Sequence, residues 1–448
     1  VAVTRSRNLS FTNLRGKRKA FPNKNYTFFT LLSPALFTFV AILNLQISLK
    51  PVTLPQRPTV FGQVSGFKCI SHDYLKKFKP TMKKYLLLFP LLALLLACQQ
   101  EAKTTDQKED TSEDVVDSLR YPKEVHLKNI RQLTFGGDNA EAYFSFDDTH
   151  LVFQATNPAW DVECDQIFYM PATGFTGDRP PMLSTGKGRT TCAYFMPGDT
   201  SVLYASTHAD NEACPETPRT LNGKYVWPVY PSFDIYVSNL EGEIIQQLTS
   251  ESGYDAEATL SPDGTKIVFT SDRSGDLELY TMNVDGSDVR QITDSLGYDG
   301  GAFFSPDGTK LVWRASRPKT DEEVKVYKEL LAQGMVQPTY MEIYVANVDG
   351  TDVRRITSLG KANWAPFFHP SGEKILFSSN HHSPEGGRPK FNLFSINLDG
   401  TGLEQITYDD VFDAFPMFSR DGKRLVFSSN RNNGGTRDTN LFIADWVE

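Results

Sequence analysis

Apolar and polar residues alternate in short runs from residue 129 onward, and turn phrases punctuate the runs at near-regular intervals. "KIVFTS" (266–271) and "LELYTMNV" (277–284) read as strands, rich in β-branched and aromatic residues with a period of two. "SPDG" (261–264) precedes the first, where Pro262 presets φ and Gly264 is free to take a positive one. "DGSD" (285–288) follows the second. One strand before, "DAEATLS" (255–261), and one after, "VRQIT" (289–293), complete a four-stranded unit, here lettered A to D.

The unit recurs. "SPDGTKLVWRASR" opens again at Ser305, and the closing triplet appears in varied form at 132–134, 182–184, 247–249, 291–293, 355–357 and 405–407. Its last residue returns after 50, 65, 44, 64 and 50 positions. The shortest interval is a bare unit; the longer ones carry insertions. Six such units predict an all-β fold, a six-bladed β-propeller of four-stranded blades over residues 127–448. "NIRQLT" (129–134) is a strand D without A–C before it, and the final unit (414–446) has A–C without D. The first strand is therefore expected to complete the last blade, since a single blade cannot bury enough surface to stand alone.

The repeated phrase resembles the WD-like repeat of the TolB-type β-propellers. That resemblance implies a periplasmic setting and a role beside a Tol–Pal type system, with another envelope protein as partner. TolB itself carries an N-terminal α/β domain, whereas only residues 99–126 separate Cys98 from the first strand here.

The N-terminal region has a different character. Residues 1–97 carry fifteen Lys/Arg against one acid, Asp73, so +14 of the net −8 sits there and the rest of the chain carries −22. A body that acidic repels phosphate backbones, so nucleic acid is not an expected partner. "MKKYLLLFPLLALLLAC" (82–98) has two lysines before an apolar run of signal-peptide length. It ends in "LLAC", which looks like the bacterial lipobox, whose cysteine is lipidated; Cys98 is the expected anchor, with 82–97 removed. Residues 1–81, including an apolar stretch at 26–49, are expected to be an upstream extension from a misplaced start. Residues 98–126 are polar and charged, and read as a disordered tether.

Six copies in one chain can be compared with each other. Six positions before each "SPDG"-type turn stand Asn139, Thr190, Asp255, Asp299, Asn363 and Asp413; twelve positions after stand Asn157, His208, Arg273, Arg317, His381 and Arg431. Asp at the first position accompanies Arg at the second. The expectation is three ion pairs within blades: Asp255–Arg273, Asp299–Arg317 and Asp413–Arg431. An acidic ring around the channel mouth, binding a divalent cation or a basic peptide, is the alternative; no cofactor is otherwise expected. A third repeated site, Gln166, Asp234, Glu278, Glu342, Asn392 and Asn440, opens strand C in all six units and reads as architecture.

Length variation falls in the B–C loops, which share a face with the D–A entries, and variable loops on a rigid scaffold are where binding surfaces are built. The insertion at 208–232 offers Tyr225, Trp227 and Tyr230 as anchors; Glu141, Glu257, Trp364 and Arg388 are expected to join them around the mouth. A second insertion, 318–340, contains a helix that Thr320 or Asp321 can cap and Gly334 can end. Cys164, Cys192 and Cys214 allow one disulfide, expected to involve Cys214 with a partner the spacing leaves open. An enzyme alternative, a polysaccharide lyase or hydrolase, would call on Arg189, His208, Glu257, His381 and His382. No nucleophile elbow, zinc-protease helix or phosphate loop occurs, which favours protein binding over chemistry.

Overall fold

The computed structural model describes residues 117–410 and 412–448. The expectations for residues 1–81, the signal peptide, Cys98 and the start of the tether fall outside them. Six antiparallel blades follow one another along the chain. Blade three shows the plan: Asp255–Leu260, Lys266–Ser271, Glu278–Asn283 and Arg290–Gln291 pair in that order. Blade one has three full strands, Asp138–Phe144, His150–Thr156 and Gln166–Pro171, and a fourth reduced to the bridge between Phe168 and Met182. Pro180 and Pro181 stand where that strand would begin, and neither has an N–H to give to a ladder. In blade six, Leu127–Gln132 pairs antiparallel with Asn440–Trp446, so the first strand of the propeller is the outer strand of its last blade.

The turn and closing phrases have clear physical work. Ser261 Oγ donates to Asp263 Oδ1 at 2.6 Å and accepts from Lys266 N at 3.0 Å, which ties the A–B turn into a knot. Asp147, Asp307 and Asp421 repeat the first contact. These bonds stabilise the charged carboxylate and hold Asp263 and its equivalents below the usual range. In all six blades the Thr or Ser that ends the closing triplet accepts the backbone N–H of the second strand-C residue: Thr249 from Ile235, Thr293 from Leu279, Thr357 from Ile343, Thr407 from Leu393, Ser184 from Ile167. In the sixth, Thr134 accepts from Leu441 at 2.9 Å, joining residues 307 apart in sequence.

The core is built from one aromatic per strand B. Phe153, Tyr204, Phe269, Trp313, Phe377 and Phe427 are equivalent and all fully buried. Strand C sets a second ring against it, as in Phe269–Tyr280 and Trp313–Tyr344, each with centroids 5.9 Å apart. Residues 117–126 also belong to the packed body. Glu124 is fully buried, Leu119 lies against the blade-six core, and Asp117 Oδ2 accepts from Ile130 N at 2.9 Å. Ordered structure thus begins before Leu127, within the stretch read from sequence as tether.

Candidate functional site

The repeated Asp and Arg positions meet at the B–C end of each blade. Arg273 Nη2 lies 2.9 and 3.0 Å from the two Asp255 oxygens, Arg317 Nη2 lies 2.6 Å from Asp299 Oδ1, and Arg431 Nη2 lies 3.2 Å from both Asp413 oxygens. Each guanidinium also covers the aromatic pair of its own blade: Arg273 over Phe269 and Tyr280, Arg317 over Tyr344, Arg431 over Phe427. His208 on Tyr236 and His381 on Phe394 take the same place elsewhere. Arg431 has a further partner, Glu124, at 3.0 Å, in a triad with no access to solvent. Burial pushes the Glu124 carboxyl up, with Arg431 opposing.

The strand-C opening residues reach across to the next blade. Asn363 Nδ2 donates to Glu342 at 3.2 Å and Asn392 Nδ2 to Asp413 at 3.3 Å, so amide meets carboxylate. Between blades three and four the residues in these places, Glu278 and Asp299, are both acids. Glu278 Oε2 and Asp299 Oδ2 are buried with no donor beside them. Burial raises both carboxyls, Glu278 to about 8, with the charge of Asp299 adding to the rise of Glu278.

Every strand A slips its register once, and the slip places one residue in the left-handed region: Glu141, Cys192, Glu257, Gly301, Ala365 and Phe415. These six equivalents and their strand-B neighbours form a cluster of two halves. Glu141, Cys192 and Glu257 are polar; Ala365 and Phe415 are apolar. Arg314, from strand B of blade four, pairs with Glu257, and its Nη2 donates to Tyr298 Oη at 2.8 Å. Glu257 also accepts from Tyr298 (2.7 Å), Thr270 (2.8 Å) and Gly301 N (3.0 Å). Burial works against the Arg314 charge, but Glu257, Tyr298 and Glu141 outweigh it and hold the guanidinium above its ordinary value. A Cβ on Gly301 would stand 2.0 Å from Arg314 Nη1, so the glycine makes room for the arginine. Beside this group, Cys192 Sγ donates to Glu141 Oε2 at 2.9 Å. Burial lifts the Glu141 carboxyl to about 7 and the Cys192 thiol far up, so the thiol keeps its proton at neutral pH.

The insertions of blades two and four meet over this cluster. Trp227–Pro228 pairs with Met335–Val336 as a two-stranded ribbon. The Trp227 ring packs on Trp364 with centroids 4.9 Å apart and lies over Arg314; Trp364 stacks on Phe391 and donates to Pro338 O. Trp227 and Tyr230 are therefore half-buried parts of a cap, and Trp364 is buried beneath it. Tyr225 and Tyr340 remain exposed at 43% and 73%, and Arg388 is exposed on the blade-five insertion. A helix at Asp321–Leu331 supports the cap, with a capping box between Thr320 and Glu323. Cys164 and Cys214 form a disulfide that ties the blade-two insertion to blade one, and Cys192 is a free thiol.

The residues called on by the enzyme alternative each have partners of their own, although Thr207 N donates to Arg189 O at 3.0 Å next to His208, and the His381 and His382 rings lie 5.6 Å apart. Arg189 pairs with Asp165, His208 Nδ1 lies 2.9 Å from Ser206 Oγ, His381 Nδ1 lies 2.9 Å from Ser379 Oγ, and His382 packs on Phe394. Burial lowers all three histidines below the ordinary value. Among the described residues no group of three or more His, Cys, Asp or Glu is placed to hold a metal ion. Sequence reasoning passed over Arg314, Tyr298, Gly301 and Tyr340. Arg314 had a signal: its strand-B equivalents are Gln154, Ala205, Thr270, Ser378 and Ser428, none of them charged.

Blade number, strand order and repeat chemistry define a six-bladed β-propeller. Residues 230–337 match the family model described as the TolB beta propeller domain. Among solved structures it is similar to a TolB candidate from Agrobacterium tumefaciens, at 18% identity over 70% of this chain and 91% of that one, with a TM-score of 0.43. TolB from Acinetobacter baumannii matches at 18% identity over 68% and 65%, TM-score 0.46. An oligogalacturonate lyase in complex with manganese matches at 15% over 71% and 93%, TM-score 0.40. Likeness at these identities speaks to the fold alone. No curated protein matches the sequence.

Proposed function

We propose that this protein is a lipid-anchored scaffold of the bacterial cell envelope, held at Cys98, that binds another envelope protein through the capped B–C face. One observation carries the reading: two insertions from different blades pair with each other and leave Tyr225 and Tyr340 exposed on a braced surface. Tyrosines that are pinned before binding give large contact area at low entropic cost. Trp227 Nε1 donates to Tyr225 Oη at 2.9 Å, which fixes that ring in advance. The engagement of Arg189 by Asp165, of His208 by Ser206 and of His381 by Ser379 supports binding over catalysis. The TolB-type propeller makes a Tol–Pal type partner the first to try.

The test is affinity capture from solubilised envelope of the source cells, with intact protein and a Tyr225→Ala/Tyr340→Ala double variant as parallel baits. The expected result is a protein held by the first bait and reduced about tenfold or more with the second, as for hot-spot tyrosines. Equal capture by both baits overturns the assignment to this face. Trp227→Ala is the wrong probe, because its ring holds the cap together.

A further inference from the structure

We propose that the cavity beside the blade-four helix is a recognition site for an acidic peptide segment of the partner. This rests on the scaffold reading above. The cavity has a volume of about 480 Å³ and lies between the helix, strand C of blade four and the entry to blade five. That size suits one or two side chains rather than a packed helix. Tyr344 and Tyr327 supply aromatic wall, and Tyr340 stands exposed at the edge.

Its charge runs against the rest of the molecule. The chain beyond residue 97 carries −22, yet Lys224, Arg317, Lys319, Arg355 and Lys361 converge here against three acids, Glu322, Glu323 and Glu342. Two of those acids are engaged elsewhere. Glu323 Oε2 accepts the backbone N–H groups of Lys319 (2.7 Å) and Thr320 (3.0 Å) at the helix start. Glu342 accepts from Thr357 Oγ1 (2.5 Å) and Gly360 N (2.9 Å). Among the cations, Arg317 is held by Asp299, and Lys361 by Ser383 O and Glu385. The side chains of Lys224, Lys319 and Arg355 make no hydrogen bond or ion pair among the described residues. Three uncommitted cations around an aromatic-walled cavity match carboxylates, and Arg355 can bind one with both arms of its guanidinium.

A peptide is favoured by continuity with the cap. Lys224 lines the cavity, and its neighbour Tyr225 is exposed on the binding face; both belong to the short strand Lys224–Tyr225. A partner seated on Tyr225 is one residue along the chain from the cavity lining.

The experiment is a fluorescence-anisotropy titration of the intact protein with a labelled tetraglutamate peptide, tetralysine being the control. Galacturonate and inorganic phosphate are added as competitors. Tetraglutamate is expected to bind, tetralysine is not, and Arg355→Glu with Lys224→Glu is expected to weaken binding about tenfold or more, beyond the loss of an exposed rim charge. Both substitutions are on exposed or half-exposed side chains, and an unchanged melting temperature confirms the fold. No tetraglutamate binding, binding that the double variant leaves unchanged, or displacement by galacturonate or phosphate at equal concentration overturns the proposal. Envelope capture with the same double variant separates the two readings. A partner retained in full removes the acidic-peptide site and leaves the scaffold; no partner even with the unaltered protein removes the scaffold, while the titration still decides the cavity.

Discussion

Arg314 and Glu257 are the two charges on which the inner face of the propeller depends. Both are buried; Glu257 is further bonded by Tyr298, Thr270 and Gly301, and Arg314 Nη2 by Tyr298, while Arg314 Nε has no hydrogen-bond partner among the described residues. Removing one partner of such a pair strands the other in a medium of low polarity, at a cost of about 3–5 kcal/mol. Arg314→Ala should therefore lower the unfolding free energy read from a urea titration by that amount, whereas Arg290→Ala, at the exposed Arg290–Asp288 pair, should cost far less. Equal losses would mean that the Arg314–Glu257 pair contributes no more than a surface pair. The Glu278–Asp299 pair gives the second prediction at this scale. Its folded-state carboxyls are raised, Glu278 to about 8, so the native protein keeps a proton that the unfolded chain releases near its ordinary value. The native state binds more protons between roughly pH 4 and 8, and stability falls as pH rises through that window. Glu278→Gln supplies the amide that other blades use and should flatten the fall. A pH profile identical to that of the unaltered protein would show that the Glu278 carboxyl is not raised.

At the scale of elements, the blades were legible in the sequence and the cap was not. Strand periodicity, the "SPDG" turns and the closing triplets gave the four-stranded unit and its six copies, because each has a fixed chemical job repeated in register. The co-occurrence of Asp and Arg at equivalent positions pointed to contacts that one chain alone can reveal. The positive-φ residues of strand A left no such trace, since Glu141, Cys192, Glu257 and Phe415 are not residues that advertise a left-handed backbone. The ribbon between Trp227–Pro228 and Met335–Val336 is two residues long on each side and joins insertions from different blades. No local period marks a pairing that short. The disulfide between Cys164 and Cys214 bears on this element. Cys214→Ser should leave the propeller's melting largely intact and speed proteolysis within 208–232, read by mass spectrometry of the first cuts; first cuts elsewhere would show that the bridge serves the blades instead.

For the whole molecule, the first and last segments are fastened to each other three ways: by the strand pairing of Leu127–Gln132 with Asn440–Trp446, by Thr134 at Leu441 and Asn440, and by Glu124 at Arg431. A rigid ring of this kind carries its variable loops on one face, and the proposed work of the protein is done there. The most direct test is photo-crosslinking in living cells, with a photoreactive amino acid placed at position 225 or 340 on the cap and at position 263 or 421 on the opposite turns. The scaffold account predicts one discrete crosslinked protein from the cap positions and none from the turns. Crosslinks from the turns alone, or none from either face, would contradict it.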